Sequence, residues 1–218
     1  MNTIQQSLFG ESQEELQGDD RQTPNEIAKL IGAKLIKTTD ETILCPAAGT
    51  GQIVKFLPTT RKIVCCEINH NRYLTGITNT AHIANCHWIH GNFFQVYCGF
   101  PEFEPIVNNK FDLVIDNPPF SNALDFIQTS LELLNPNNPE ARVCFLLPGD
   151  YFYGKQRRMK LKSLDCHIHH IYPTGVGDGR IAYLDVSGKP EKGRQVYDVV
   201  FDIRLRRNGG VISYLFDL

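Results

Sequence analysis

The chain reads as an α/β protein: a mostly parallel sheet with helices on both faces. Short apolar segments alternate with helix-patterned ones from Thr42 onward, and a turn of small residues follows the first of them. At 218 residues and 42% hydrophobic, the chain has material for one good core.

Residues 1–22 are polar, acidic and poor in branched apolar side chains, so a disordered tail is expected there, with the folded domain at residues 23–218. Thr23 is a suitable N-cap and Pro24 a suitable first residue for a helix whose apolar face is Ile27, Leu30, Ile31 and Leu35. "TILCP" from Thr42 then reads as a strand, "GQIVKFL" from Gly51 as helix, and "KIVCCEI" from Lys62 as strand. "NHNRYLTGITNTAH" is helical, "CHWIH" and "FDLVID" are strands, and "NALDFIQTSLELL" is helical again. "RVCFLLP" is a strand and "KQRRMKLKSL" a basic helix, with late strands in "HIHHIYP" and "VYDVVFDIRLR". The long glycine-rich stretch from Pro173 to Gln195 exceeds an ordinary connection and suits a loop that closes over substrate.

Composition narrows the function classes. The net charge of −2 decides nothing about nucleic acid, because local clusters outweigh the sum. Seven cysteines fall without a metal-ligand rhythm and two of them, Cys65 and Cys66, are adjacent, which suits a reducing compartment. The start has neither the basic residues nor the apolar core of a signal peptide, and no segment reaches the length of a membrane span, so a soluble cytoplasmic protein is expected. Cys166, His167, His169 and His170 invite a metal reading. Strand alternation sends neighbours to opposite faces, however, and no second ligand pair stands at zinc spacing, so no metal is expected.

In sheets of this kind ligands bind beyond the carboxyl ends of the strands. The first such turn is "CPAAGTGQ", where Ala47, Ala48, Gly49 and Gly51 are small enough to let a ligand approach the backbone. Glu67 ends the second strand, where an acid accepts from both ribose hydroxyls of a nucleoside cofactor. The glycines do not follow the dinucleotide spacing, since Val54 takes the place of the third. "DNPPF" ends a later strand and carries the chemistry. An exocyclic base amine is a poor nucleophile because its lone pair is delocalised, and acceptors for both its hydrogens favour the tetrahedral nitrogen that attacks a methyl group. Asn117 offers a side-chain oxygen and Pro118 a backbone carbonyl, held by a turn that two prolines keep extended. Phe120 offers a flat face for a base taken out of its stack, and Asp116 orients the amide or receives hydrogen bonds from the cofactor.

The ordered set "TPNEIAKLI", "CPAAGTG", "CCEI", "GNFF" and "DNPPF" resembles the S-adenosylmethionine-dependent amino methyltransferases, in particular the adenine-N6 DNA methyltransferases whose cofactor motifs precede the catalytic one. The resemblance runs from Thr23 to about Tyr172 and implies a Rossmann-like class I methyltransferase fold. It implies that Thr23 and Pro24 border the methionine end of S-adenosylmethionine, and that Ala47, Gly49 and Gly51 border its carboxylate and ribose. Glu67 would serve its ribose hydroxyls, Ile68 beside it would also bind the cofactor, and Asn92 and Phe93 would lie along its adenine. The chain departs from the family in having Asn92 where an acid is usual, Cys45 where an acid is common, and no long target-recognition region after the catalytic motif.

The implied activity is methyl transfer to the N6 amine of adenine in DNA, without a covalent intermediate or a metal. An RNA methyltransferase acting on an adenine or guanine amine stays open, as does a non-catalytic, cofactor-binding subunit of a larger complex. A partner subunit for target recognition fits the small size. Protein-glutamine methyltransferases normally carry Tyr where this chain has Phe120, and a nicotinamide dehydrogenase would give "NPPF" no role. Lys155, Arg157, Arg158, Lys160 and Lys162 are a solvated helix face or a phosphate contact, with Arg157 and Arg158 the candidates for substrate. Trp88 belongs to the core or beside the cofactor's adenine.

Overall fold

Runs of Ile, Val, Leu and Cys that bury both faces of a strand dictate the centre of the molecule. The computed structural model describes residues 22–174, 183, 189 and 197–206. Its strands are Thr42–Cys45 (β1), Lys62–Glu67 (β2), Cys86–His90 (β3), Leu113–Asp116 (β4), Arg142–Pro148 (β5), Cys166–Pro173 (β6) and Asp198–Leu205 (β7). They form one sheet in the order β3-β2-β1-β4-β5-β7-β6. The pairs from β3 through β5 are parallel, and β7 lies antiparallel between β5 and β6. Helices are Asn25–Lys34 (α1), His70–Asn79 (α2), Glu104–Val107 (α3), Ala123–Leu133 (α4) and Lys155–Ser163 (α5). Two apolar clusters, one on each face, sandwich the sheet, as the alternating pattern requires. Order reverses between β1 and β4, which leaves a crevice at their carboxyl ends.

Several elements differ from the sequence expectation in instructive ways. Pro24 is the N-cap of α1, with extended backbone (φ −59°, ψ 147°), and helix begins at Asn25. Thr23 is therefore not the cap; its buried side chain faces elsewhere, as described below. "GQIVKFL" yields only a 3₁₀ turn, Val54–Phe56, since Leu57 is already extended and Pro58 follows it. The expected tail lies outside the described residues, as does most of the glycine-rich stretch. Tyr183 of that stretch is buried and bonds through its hydroxyl to Asp198.

The amino edge of the sheet is held by buried charge. Asp112 accepts from the backbone of Glu41 and Thr42 and from the side chains of Asn135 and Asn138. Arg142 pairs with Asp40 at 2.8 Å and donates to the Leu35 carbonyl at 2.6 Å. All the charged groups of this lock sit at the end of the sheet opposite the crevice, so the fold's rigidity and its site are separated.

Helix α2 is capped by Asn69, whose side chain accepts from Asn71 and Arg72. Its one buried residue is Gly76, over which the Trp88 ring lies. A Cβ on Gly76 would fall 2.2 Å from Trp88, so Gly76→Ala must displace the indole. We expect a lowered urea midpoint corresponding to about 1–3 kcal/mol, with secondary structure retained. An unchanged midpoint would mean that the ring relocates without cost. None of the described helices is long and apolar enough to cross a membrane.

Candidate cofactor and target site

The turn after β1 is shaped by two acids at the ends of neighbouring strands. Gly49 has φ +57°, and a Cβ there would meet nothing within 4 Å, so its backbone faces open space. Its N–H donates to Glu67 Oε2 at 2.8 Å, while the Asn69 N–H donates to Oε1 at 2.7 Å. Each carboxylate oxygen keeps further acceptor capacity for a ligand. Asp116 does the same one strand over. Its Oδ2 accepts from Ala47 N–H at 2.7 Å and its Oδ1 from Asn117 N–H at 2.9 Å. One carboxylate thus fastens the glycine turn to the first residue of the Asn-Pro-Pro-Phe turn.

Both acids are buried. Burial pushes the Glu67 carboxyl above its usual range against the pull of its backbone donors. Burial pushes Asp116 up to about 7, with the Glu67 charge adding to the rise and the Ala47 and Asn117 donors opposing it.

Asn117 donates from Nδ2 to Thr23 Oγ1 at 3.1 Å, which leaves Oδ1 as the acceptor end of the amide. That Oδ1 is shielded from water although Asn117 lines the cavity. Pro118 is buried, and Phe120 is half-buried, packed against both apolar clusters. The turn is also held from behind: buried Tyr151 donates from its hydroxyl to the Phe120 carbonyl at 3.1 Å. The Arg157 guanidinium lies 4.3 Å above the Tyr151 ring and donates to the Tyr151 carbonyl at 3.2 Å.

These turns open into one cavity of about 420 Å³, a size suited to a small-molecule ligand. Of the residues singled out from sequence, Thr23, Ala47, Gly49, Glu67, Ile68, Asn92, Phe93, Asp116 and Asn117 line it. Pro24, Gly51, Pro118, Phe120, Arg157 and Arg158 are not among its lining residues. Gly51, at φ +76°, packs instead toward Thr80 and Trp88, so its freedom serves the turn. Asn92 accepts from the Phe94 N–H at 3.0 Å, and Phe93 stacks parallel to Phe126 at 5.6 Å. Arg72, Phe94, Ser121 and Asn122 also line the cavity and were not anticipated. Arg72 sits in the first turn of α2, five residues past Glu67, a placement that the glycine-turn-plus-acid pattern contained but did not mark. Among the described residues no group of three or more His, Cys, Asp or Glu is placed to hold a metal ion.

No protein-family profile matches the sequence, and no curated protein matches it. Solved structures do match in fold. A modification subunit from Vibrio vulnificus, assigned by inference to a type I restriction enzyme, superposes with a TM-score of 0.60 at 15% identity, over 92% of this chain and 46% of its own. A protein from Pyrococcus horikoshii inferred to be an RNA methyltransferase gives 0.57 at 16%, over 83% and 81%. TrmN from Thermus thermophilus gives 0.52 at 18%, over 83% and 48%. The chain spans about half the length of TrmN and of the restriction subunit. The fold is therefore the Rossmann-like fold of class I methyltransferases, a seven-stranded sheet with its crevice at the β1/β4 switch point.

Proposed function

We propose that the protein binds S-adenosylmethionine and transfers its methyl group to the exocyclic N6 amine of adenine in DNA. One observation carries the reading: the Glu67–Gly49 turn and the Asn117 turn line a single cavity and are joined by Asp116. The donor set fits the cofactor. Glu67 is buried with acceptor capacity to spare for ribose hydroxyls, Gly49 leaves room where a side chain would intrude, and Asp116 supplies negative charge toward a cationic ligand.

When bound, the cofactor supplies an electrophilic methyl group on a sulfonium. Asn117 Oδ1 and the Pro118 carbonyl accept from the two amine hydrogens and so localise the lone pair on nitrogen. Thr23 holds the amide in that sense through Nδ2, and Tyr151 fixes the turn at Phe120, so the turn that carries both acceptors is braced from two sides. Phe120, half-buried at the end of this turn, supplies a flat face for the base. Neither acceptor is basic, and the released proton passes to water.

The test is to supply labelled S-adenosylmethionine with DNA, RNA and protein pools and to identify the modified residue by mass spectrometry. N6-methyladenine in DNA is the expected product. Label confined to protein or to the 5-position of cytosine would overturn the reading. Methylated amines in RNA alone would favour the alternative suggested by the fold's likeness to the Pyrococcus protein.

Cofactor binding should also depend on pH. Asp116 is protonated below about 7 and ionised above it, and a cationic ligand favours the ionised form. Binding then releases a proton, so affinity rises with pH through about 7 and levels off above it. We expect about a fivefold gain between pH 6 and pH 7 by calorimetry, on the limiting assumption that only the ionised form binds. Asp116→Asn should flatten that profile.

A further inference from the structure

Going beyond the reaction itself, and resting on the reading above, we propose that the nucleic acid is an unpaired strand. It crosses the edge of the sheet where β4 and β5 end and β7 begins, with Tyr153 and Tyr197 stacking on bases beside the target nucleotide. Topology brings these residues to the catalytic turn. β4 and β5 are parallel, so Asn117 and Gly149 leave the sheet at the same edge, and antiparallel β7 begins there. Gly149 N–H donates to the Tyr197 carbonyl at 2.8 Å, which ties the two segments together. Two tight turns, Tyr151 N–H to Pro148 and Tyr153 N–H to Asp150, carry the chain on to Tyr153.

The "YFY" of this loop splits by burial. Tyr151 and Phe152 are in the core, whereas Tyr153 is 78% exposed and Tyr197 is 57% exposed. One exposed ring is ordinary; two on the edge that carries the catalytic turn are a stacking platform. Cations run beside it. Lys155 and Arg157 are exposed and Arg158 half-buried in the opening turns of α5, and no acid sits in its first turn. Positive charge at a helix start opposes the helix dipole, so this arrangement costs the fold and suits phosphates passing over it. Arg157 also rests on Tyr151, the residue that holds the Phe120 carbonyl, so a strand reaching Arg157 is linked to the target turn through one intervening residue.

Paired and unpaired strands are separated by what the platform can grip. A duplex hides its base faces inside the stack, so exposed rings beside the target turn have no base face to grip on it. An unpaired strand exposes base faces, and aromatic rings bind them with little regard to sequence.

The experiment measures fluorescence anisotropy of the full chain with labelled single-stranded DNA, single-stranded RNA and duplex DNA of about twelve nucleotides. Wild type is compared with Tyr153→Ala, Tyr197→Ala and Tyr153→Phe, and cofactor affinity is followed in parallel as the control for folding. We expect single strands to bind at least about tenfold more tightly than duplex, and each alanine variant to lose about tenfold. Tyr153→Phe should bind within about twofold of wild type, because the ring remains. Tighter binding of either single strand supports the inference, and the preferred one assigns the sugar. Duplex binding equal to or tighter than single-strand binding, or alanine variants that bind as wild type does, would overturn it. Tyrosine-dependent strand binding without transfer to any nucleic acid would sink the methyltransfer reading alone. Transfer to duplex with silent alanine variants would sink this inference alone.

Discussion

Asn117→Ala is expected to fold, to keep most of its cofactor affinity, and to lose at least about two orders of magnitude in methyl transfer, the scale of removing one preorganised polar partner. The amide gains most as the nitrogen becomes tetrahedral, so its loss falls on turnover rather than on ground-state binding. The stability cost is bounded by what the side chain holds. The side chain donates to Thr23, and a single such bond contributes about 1 kcal/mol. Single-turnover transfer at saturating nucleic acid, with calorimetry of the cofactor alongside, separates the two effects. Near-normal transfer by the alanine variant would remove Asn117 from the mechanism. Phe120→Tyr keeps the stacking face and should stay active.

Glu67→Ala should weaken S-adenosylmethionine binding by about 1–3 kcal/mol, roughly 5- to 150-fold. The structure gives this acid two tasks: it offers acceptors to the ribose, and it orders the Gly49 and Asn69 backbone. Glu67→Gln preserves one oxygen acceptor and the volume, so it should fall between wild type and alanine. Unchanged affinity by calorimetry in both variants would move the cofactor out of this part of the cavity.

The strands were the legible part of the chain. Runs such as "RVCFLLP" and "KIVCCE" have few conformations that bury them fully, and both lie where the alternation of elements puts them. "GQIVKFL" was misread because helix periodicity over seven residues is satisfied by a single 3₁₀ turn, and Pro58 stops anything longer. The site was legible in its backbone-defined parts. Gly49, Glu67, Asp116 and Asn117 sit at strand ends, where topology alone brings them together. What escaped depends on packing between distant segments. Thr23 was read as a cap from its neighbour Pro24, whereas its hydroxyl meets Asn117, 94 residues away. Tyr151 carries no motif at all, and its hold on Phe120 exists only because β4 and β5 are adjacent. Gly51 shows the converse, a glycine whose place in a ligand-binding pattern is explained locally by the Trp88 ring.

That ring is also an instrument. Trp88 is the sole tryptophan of the chain, and its indole N–H donates to Thr80 Oγ1 at 2.9 Å. A Cβ on Gly51 would come within 3.4 Å of the same indole, so the fluorophore sits against the turn that begins at Pro46. Any tightening of that turn alters the polarity and quenching around one chromophore, with no second tryptophan to dilute the signal. The intrinsic emission of the unlabelled protein therefore serves as a built-in optical gauge of the glycine turn, readable in a cuvette during a titration or a stopped-flow mix.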